Sequence, residues 1–170
     1  LRERPLVRIQ LSAPKTKLNK EEFMEEKFMN EALKEARKAY EKLEIPVGAV
    51  IVKNGKIISK AHNLKETKQT ATAHAEILAI QKANKKLNNW RLIDCDMYVT
   101  LEPCSMCMGA IVSSRIKNIY IGTLDQKKEE KIDIQKYKEE YDVNIKYGIC
   151  GAECESILKE FFKDLRKNGG

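Results

Sequence analysis

Apolar side chains recur every three or four positions in four parts of the chain, with charged residues between them. This spacing predicts amphipathic helices, because it places the apolar residues on one face of each helix. Pro46 ends the first helix, Thr72 caps the second, and Pro103 lies in the first turn of the third. The predicted helices cover about residues 20–43, 72–87, 103–114 and 152–167.

Short runs of consecutive apolar residues lie between these helices and predict five strands. The first two runs flank Asn54-Gly55, which is a strong hairpin signal. The runs cover residues 47–52, 56–59, 96–101, 117–122 and 143–147, whereas the charged residues 125–141 fit no element clearly. Strands that alternate with helices predict an α/β fold, here a three-layer α/β/α sandwich with a central mixed five-stranded sheet.

Most of the net charge of +7 lies at the N-terminus. Residues 1–20 hold six of the 32 basic residues and one of the 25 acidic residues, so we expect a basic tail or leader there and a single domain over residues 21–170. The basic charge of the tail fits three interpretations: attraction to the phosphates of a nucleic acid, a solvated leader, or the remnant of a transit peptide. No apolar run reaches the ~18 residues that cross a bilayer. We therefore expect no membrane contact and a cytoplasmic protein, or an organellar one if the tail is a transit remnant.

Five cysteines in 170 residues do not form a secreted disulfide framework and indicate a reducing compartment. Cys104 and Cys107 stand three apart, a spacing that is typical of metal or redox chemistry. The remaining three are expected to be small core residues: Cys95, Cys150 and Cys154.

The chain has two histidines, and His62 is expected to be a surface or packing residue. His74 lies at the predicted start of one helix, and Cys104 and Cys107 lie at the predicted start of another. Two thiolates at a helix N-terminus and one imidazole leave the fourth position of a zinc ion open, as in catalytic zinc sites. Zinc lowers the pKa of a water in that position toward ~7. Glu76, two residues after His74, can move the proton of that water.

These parts predict a hydrolytic deaminase, because H-x-E followed by P-C-x-x-C is the signature of zinc-dependent base deaminases. The C-x-x-C spacing alone also fits a thioredoxin-like redox pair or half of a zinc ribbon. The pair of His74 and Glu76 supports neither of these alternatives.

Several longer stretches extend the pattern beyond the zinc signature. They are Pro46-Val47-Gly48-Ala49-Val50, Ala61-His62-Asn63, Thr72-Ala73-His74-Ala75-Glu76, Trp90-Arg91-Leu92, the run YVTLEPCSMCMGAIVSSRI at residues 98–116, and Phe161-Phe162-Lys163-Asp164-Leu165-Arg166. Over about residues 22–167 the chain resembles the bacterial tRNA adenosine deaminases of the cytidine deaminase-like superfamily. These enzymes convert the wobble adenosine of an anticodon to inosine.

The resemblance implies one zinc ion per chain, a tRNA anticodon stem-loop as partner, and a homodimer. It implies His74, Cys104 and Cys107 as zinc ligands and Glu76 as the proton shuttle. The substrate-binding residues that it implies are Asn63, which holds the purine by hydrogen bonds; Val47, which lines the base pocket; Ala75, Leu101 and Glu102, whose backbone surrounds the reacting centre; Asp125, which contacts the neighbouring nucleotide; and Phe161 and Phe162, which pack against flanking anticodon bases. Stacking and hydrogen bonding are how single-stranded loop bases are usually recognised. Lys163, Arg166 and Lys167 fit either nearby phosphate contacts or solvated surface positions.

Two departures from the family pattern keep an alternative substrate open. Residues 126–132 lack the glycine of the family's loop near the RNA, and Ala71 replaces a proline. A deaminase of a free nucleobase or nucleoside, of guanine, cytosine or adenosine type, would keep the same zinc residues. The discriminating feature is whether residues 123–141 form a basic ledge that faces RNA or close over a small pocket. A non-catalytic subunit would lack the glutamate at position 76, which is present here.

The apolar run at residues 106–116 is longer than a lone surface helix needs. It fits either burial in the core or an interface with a second copy of the chain.

Overall fold

The computed structural model describes residues 17–126 and 133–169, so the basic tail at 1–16 and most of the glycine-free loop, 127–132, lie outside the described residues. The elements are α1 (Lys20–Glu41), β1 (Gly48–Lys53), β2 (Lys56–His62), α2 (Lys65–Lys68), α3 (Ala75–Leu87), β3 (Cys95–Leu101), α4 (Ser105–Ser113), β4 (Asn118–Thr123), α5 (Ile134–Tyr141), β5 (Asn144–Tyr147) and α6 (Gly151–Asn168). Within these two ranges every helix is too short or too polar to span a bilayer.

The five strands form one sheet in the order β2-β1-β3-β4-β5. β1 is antiparallel to β2 and β3, whereas β4 is parallel to β3 and β5. Asn54 and Gly55 close the β1–β2 hairpin with φ angles of 51° and 71°, the left-handed conformation that a two-residue hairpin turn requires. The predicted mixed five-stranded sheet and its hairpin are therefore confirmed.

Alternate residues of the strands face two separate hydrophobic cores. Ala49 and Ile51 of β1 pack in the core that contains residues of α3 and α4, and Val50 and Val52 pack in the core that contains residues of α1 and α6. Since successive side chains of a strand point to opposite faces, the sheet lies between two layers of helices. The three-layer α/β/α sandwich is confirmed.

Two glycines allow the helices of one layer to lie close to the sheet. A Cβ on Gly48 would lie 1.9 Å from the carbonyl oxygen of Ala32 in α1, and one on Gly122 would lie 2.3 Å from Sγ of Cys154 in α6. Cys154 is fully buried at this contact. As predicted, it is a small core residue, and a larger side chain at either glycine would push a helix off the sheet.

Three predicted helix boundaries are wrong by a few residues. α1 ends at Glu41, well before Pro46, because Leu43 adopts φ 59° and the amide of Glu44 donates to the carbonyl of Ala39. These are the left-handed residue and the long-range bond of a Schellman motif.

α3 and α4 also begin later than predicted. α3 begins at Ala75 instead of Thr72, and α4 begins at Ser105 instead of Pro103. Two further helices were not predicted, α2 in the polar loop after β2 and α5 in the charged segment before β5. Much of the apolar run in and after α4 is buried within the chain, since Met108 and Ile111 are at most 1% exposed, whereas Met106 at its start is 37% exposed.

Candidate active site

The late starts of α3 and α4 place His74 and Cys104 at the residue preceding the helix, the N-cap position. Both have extended backbones, and neither side chain makes a regular capping bond to its own helix. An N-cap side chain usually accepts such a bond. Here the two side chains face each other instead, so the helix starts are arranged for the site.

Three potential ligand atoms converge between the two helix N-termini. Nδ1 of His74 lies 3.7 Å from Sγ of Cys104 and 3.5 Å from Sγ of Cys107, and the ligand atoms of the three residues all lie within 4.8 Å of one another. A tetrahedral zinc with Zn–S of about 2.3 Å and Zn–N of about 2.0–2.1 Å separates sulfur and nitrogen by about 3.6 Å. The His-Cys-Cys cluster, formed by His74, Cys104 and Cys107, therefore has the donor set and the spacing that fit zinc.

Hydrogen bonds within the His-Cys-Cys cluster stabilise a thiolate. The Cys107 thiol and the His74 imidazole both bond to Cys104 and lower the pKa of its thiol to about 3, and the same contact raises the pKa of His74. The Cys104 bond and burial raise the pKa of Cys107. The cluster thus favours a thiolate at Cys104, the form in which cysteine binds metal ions.

Glu76 lies beside the His-Cys-Cys cluster but outside the group of converging ligand atoms. It is the second residue of α3 and is 4% exposed. Burial raises the pKa of its carboxyl group, while a bond from its own backbone amide, the nearby His74 and a hydrogen bond with Cys107 lower it in part. A buried carboxylate in contact with a ligand residue, and not itself a ligand, has the placement of a proton carrier.

Asn63 and Val47 lie together where β2 ends and β1 begins. The amide of Asn63 donates to the carbonyl of Val47 at 3.1 Å. Its side-chain nitrogen donates to the carbonyl of Ile45 at 3.4 Å, and its side-chain oxygen accepts from the amide of Lys65 at 3.4 Å. Both residues are buried, so the Asn63 side chain is held in one orientation.

The predicted residues at the carboxyl end of β3 lie at one edge of the sheet. Leu101 is the last residue of β3, and the amide of Glu102 donates to the carbonyl of Thr123 at the end of β4. The Glu102 carboxylate accepts from the amide of Asp125 at 3.3 Å. Ala75 is fully buried at the first position of α3. The two hydrogen bonds of Glu102 therefore hold the segment after β4 beside the residue that precedes Pro103 and Cys104.

A cleft of about 590 Å³ lies between this sheet edge and α6. Of the predicted residues, Leu101, Asp125 and Phe162 line it. Lys163 and Arg166, which were predicted as phosphate contacts or solvated surface residues, also line it. The lining residues that were not predicted for the site include Ile45, Leu124, Leu158 and Lys159. We call this space the α6 cleft. Its α6 residues share the helix face of Phe162, three or four positions apart, so helical periodicity could have identified them.

The two adjacent phenylalanines of α6 lie in different surroundings. Phe161 is 3% exposed, and its ring centroid lies 5.4 Å from that of Tyr40 in an edge-to-face contact. It does not line the α6 cleft, whereas Phe162 does. The structure therefore brings Phe162 to the cleft and leaves Phe161 in the core between α1 and α6.

The histidine and cysteines that were expected to be structural lie elsewhere. Nδ1 of His62 pairs with Glu35 at 2.8 Å, on the α1 side of β2, which is the packing role predicted for it. Cys95 is fully buried and Cys150 is half-buried, and both are free thiols.

The chain is similar to several known deaminases. A family model described as MafB19-like deaminase matches residues 23–166. The tRNA-specific adenosine deaminase of Bacillus subtilis (strain 168) is 46% identical over 147 residues, which cover 84% of this chain and 91% of that protein. A solved structure from studies of A-to-I editing by tRNA:A34 deaminases at the wobble position of transfer RNA is 38% identical, with a TM-score of 0.73, and covers 78% of this chain and 99% of that chain.

A guanine deaminase structure from Bacillus subtilis is also similar, at 39% identity and a TM-score of 0.57. That similarity covers 63% of this chain and 66% of the other, whereas the similarity to the tRNA-specific enzyme extends over nearly all of the relative. The chain therefore belongs to the family of the tRNA-specific adenosine deaminases.

Proposed function

We propose that this protein catalyses the hydrolytic deamination of adenosine to inosine at the wobble position of a tRNA anticodon. The observation that carries the proposal is the convergence of His74, Cys104 and Cys107 beside a buried Glu76, in a chain of this family. The reaction class follows from the donor set and the carboxylate. The substrate follows from the family and is supported by the open cleft beside the site.

We propose His74, Cys104 and Cys107 as the ligands of one zinc ion per chain. The donor set, the spacing of the ligand atoms and the stabilised thiolate at Cys104 support this assignment. When bound, zinc supplies a Lewis acid that lets a water molecule ionise near neutral pH.

Glu76 is proposed to move two protons in this reaction. Its carboxylate accepts a proton from the attacking water and gives it to the ring nitrogen next to C6 of adenine, while the new C6–O bond forms. It then carries the proton of the new hydroxyl group to the amino group. The C6–N bond breaks, and ammonia leaves with inosine as the product. Burial of Glu76 keeps these protons from exchanging with bulk water.

The base is proposed to be held between Asn63 and Val47, with the backbone of Ala75, Leu101 and Glu102 around the reacting centre. The second hydrogen of the Asn63 side-chain amide is available to a purine nitrogen or oxygen, because the contact with Ile45 uses one hydrogen of the group. Fixed orientation favours this role, since a preorganised donor loses little freedom when the base binds.

We propose that the α6 cleft receives the nucleotides that flank the target. Asp125 is proposed to contact the neighbouring nucleotide and Phe162 to stack on a flanking base. Lys163 and Arg166 lie on the same wall as Phe162 and suit the phosphates of an RNA strand. Phe161 is proposed to support this wall from the core side, where it contacts Phe162 at a centroid distance of 5.4 Å.

Two further properties are proposed on more general grounds. All five cysteines are free, which supports a reducing compartment such as the cytoplasm.

A homodimer is proposed from the family resemblance and is supported by exposed apolar side chains after α3, Trp90 and Ile93. Sedimentation that finds only monomer at micromolar concentration would contradict the dimer.

The test of the proposed function is inosine formation on an anticodon stem-loop with adenosine at the wobble position. A stem-loop with adenosine moved one position along the loop is the matched control. Free guanine, cytosine and adenosine run in parallel with the same zinc-loaded protein. We expect inosine only in the first stem-loop. Release of ammonia only from a free base or nucleoside would contradict the proposed substrate. It would not contradict the proposed zinc chemistry.

A further inference from the structure

Glu44 is a carboxylate that is 1% exposed and lies in the loop between α1 and β1. The backbone at the end of α1 turns the Glu44 side chain toward the protein interior. Leu43, with φ 59°, turns the backbone, and the amide of Glu44 donates to the carbonyl of Ala39 at 3.0 Å. The Schellman motif thus sends a charged side chain beneath the loop that follows β2.

The Glu44 carboxylate caps a helix that lies more than twenty positions later in the chain. Its Oε1 accepts from the amide of Thr67, the third residue of α2, at 2.6 Å. An N-cap side chain normally accepts this bond. The N-cap residue of α2 is Leu64, which has no polar side chain and makes no such bond. Glu44 supplies the missing acceptor from a different part of the chain.

The segment that Glu44 caps links two residues of the site. It begins at Asn63 and ends just before His74, and a hydrogen bond of 3.0 Å from the amide of Leu64 to the carbonyl of Ala73 closes it. Its first turn fixes Asn63, because the amide of Lys65 donates to the Asn63 side-chain oxygen. The Glu44 bond therefore stabilises the same turn that orients Asn63.

The other carboxylate oxygen of Glu44, Oε2, is buried without a hydrogen-bond partner among the residues that the structure describes. A buried oxygen without a partner lowers stability. Such departures from favourable packing are expected where function requires the group.

We infer that Glu44 is a positioning residue that holds Asn63 in the orientation that grips the adenine base, through the first turn of α2. The inference deepens the proposed function and rests on it for the identity of the base. Glu44 itself does not contact the reacting atoms in this role.

The test is a double-mutant cycle of E44M with N63A. E44M removes the acceptor for the Thr67 amide and is expected to lower kcat/KM for the stem-loop about tenfold in the wild-type background, but less than about twofold in the N63A background, because coupled residues are not additive. E44Q keeps an acceptor oxygen and is expected to retain most of the activity. An equal loss from E44M in both backgrounds, or no loss in either, would overturn the inference.

The control is E25M, which removes another buried carboxylate, the partner of Lys146 at 2.7 Å. It is expected to leave kcat/KM unchanged. If E44M does not fold, E44D takes its place, since it keeps the charge but is one methylene too short to reach Thr67.

The side-chain amide signals of Asn63 in an NMR spectrum give a readout that needs no substrate. They are expected to shift in E44M and not in E25M. If the wild-type protein forms no inosine, the proposed substrate fails, while the signals still decide whether Glu44 positions Asn63. Unchanged signals in E44M would exclude that role.

Discussion

The His-Cys-Cys cluster and the α6 cleft, which share no residue, differ in how the chain builds them. The cluster takes its side chains from the N-termini of α3 and α4, which lie against the sheet, and its ligand atoms lie within 4.8 Å of one another. The cleft takes most of its lining from one face of α6 and from the segment after β4, and its volume is about 590 Å³. We infer that chemistry is fixed by rigid elements, whereas recognition is spread over many side chains.

This difference separates two kinds of response to substitution. Removing one group from the His-Cys-Cys cluster is expected to abolish a whole step, because each group has a single role there. Removing one side chain from the α6 cleft is expected to weaken binding in part, because its neighbours remain.

The largest effect is expected from Cys104→Ala, which removes a proposed ligand. We expect zinc to fall from one per chain to nearly none, with loss of turnover, since two remaining ligands hold zinc weakly. Elemental analysis of zinc and the inosine assay measure the two effects. Cys95→Ala, which removes a buried thiol outside the cluster, is the control and is expected to keep zinc. Full zinc content in Cys104→Ala would contradict the proposed ligand set.

Glu76→Ala is expected to separate metal binding from chemistry. The three proposed ligands remain, so zinc should stay at one per chain, while the rate of inosine formation falls by about 10²–10⁴-fold because proton transfer is lost. Single-turnover kinetics on the stem-loop measure this rate. Glu76→Gln keeps the size of the side chain and should be equally inactive. Near-normal turnover in either variant would exclude Glu76 as the proton carrier.

Half of the cluster was predictable from local spacing, and His74, 30 positions before Cys104, was predictable only from the H-x-E motif that accompanies P-C-x-x-C. A spacing of three residues places Cys104 and Cys107 on one side of a helix turn, and the structure brings His74 to both. The predicted helix starts failed at the same place for a physical reason. Capping rules assume that Thr72 or a similar residue bonds its own helix, whereas here the N-cap residues His74 and Cys104 face each other.

The α6 cleft was only partly predictable. Helical periodicity alone distinguishes Phe161, which shares a buried face with Cys154 and Ile157, from Phe162. No local pattern indicates Ile45 or Leu124, which join the cleft only through the packing of distant segments. The bond between Glu44 and Thr67 was also not predictable, since it depends on how two loops meet.

The two phenylalanines allow a direct test of this division between core and cleft. Phe161→Ala is expected to lower the free energy of unfolding by about 3–5 kcal/mol, because it leaves a cavity in the core. Phe162→Ala is expected to leave stability nearly unchanged and to raise KM for the stem-loop about tenfold, because base stacking contributes about 1–3 kcal/mol per base. Chemical denaturation and steady-state kinetics separate the two effects. The reverse pattern would mean that Phe161 is the residue that contacts RNA.

The smallest effect is expected from Tyr40→Phe, which changes the support of the cleft wall instead of the wall itself. The Tyr40 hydroxyl donates to Asp164 across the space between α1 and α6. This bond raises the pKa of Tyr40 to about 12. Its loss should loosen the last turns of α6, which carry Lys163 and Arg166, and raise KM for the stem-loop by less than about threefold, because this part-buried bond supports the cleft wall and does not itself contact the RNA. Zinc content and kcat should not change, since the His-Cys-Cys cluster is held by α3 and α4. A fall in kcat or zinc would mean that the cleft and the cluster are mechanically coupled, and that chemistry and recognition are not separable in this fold.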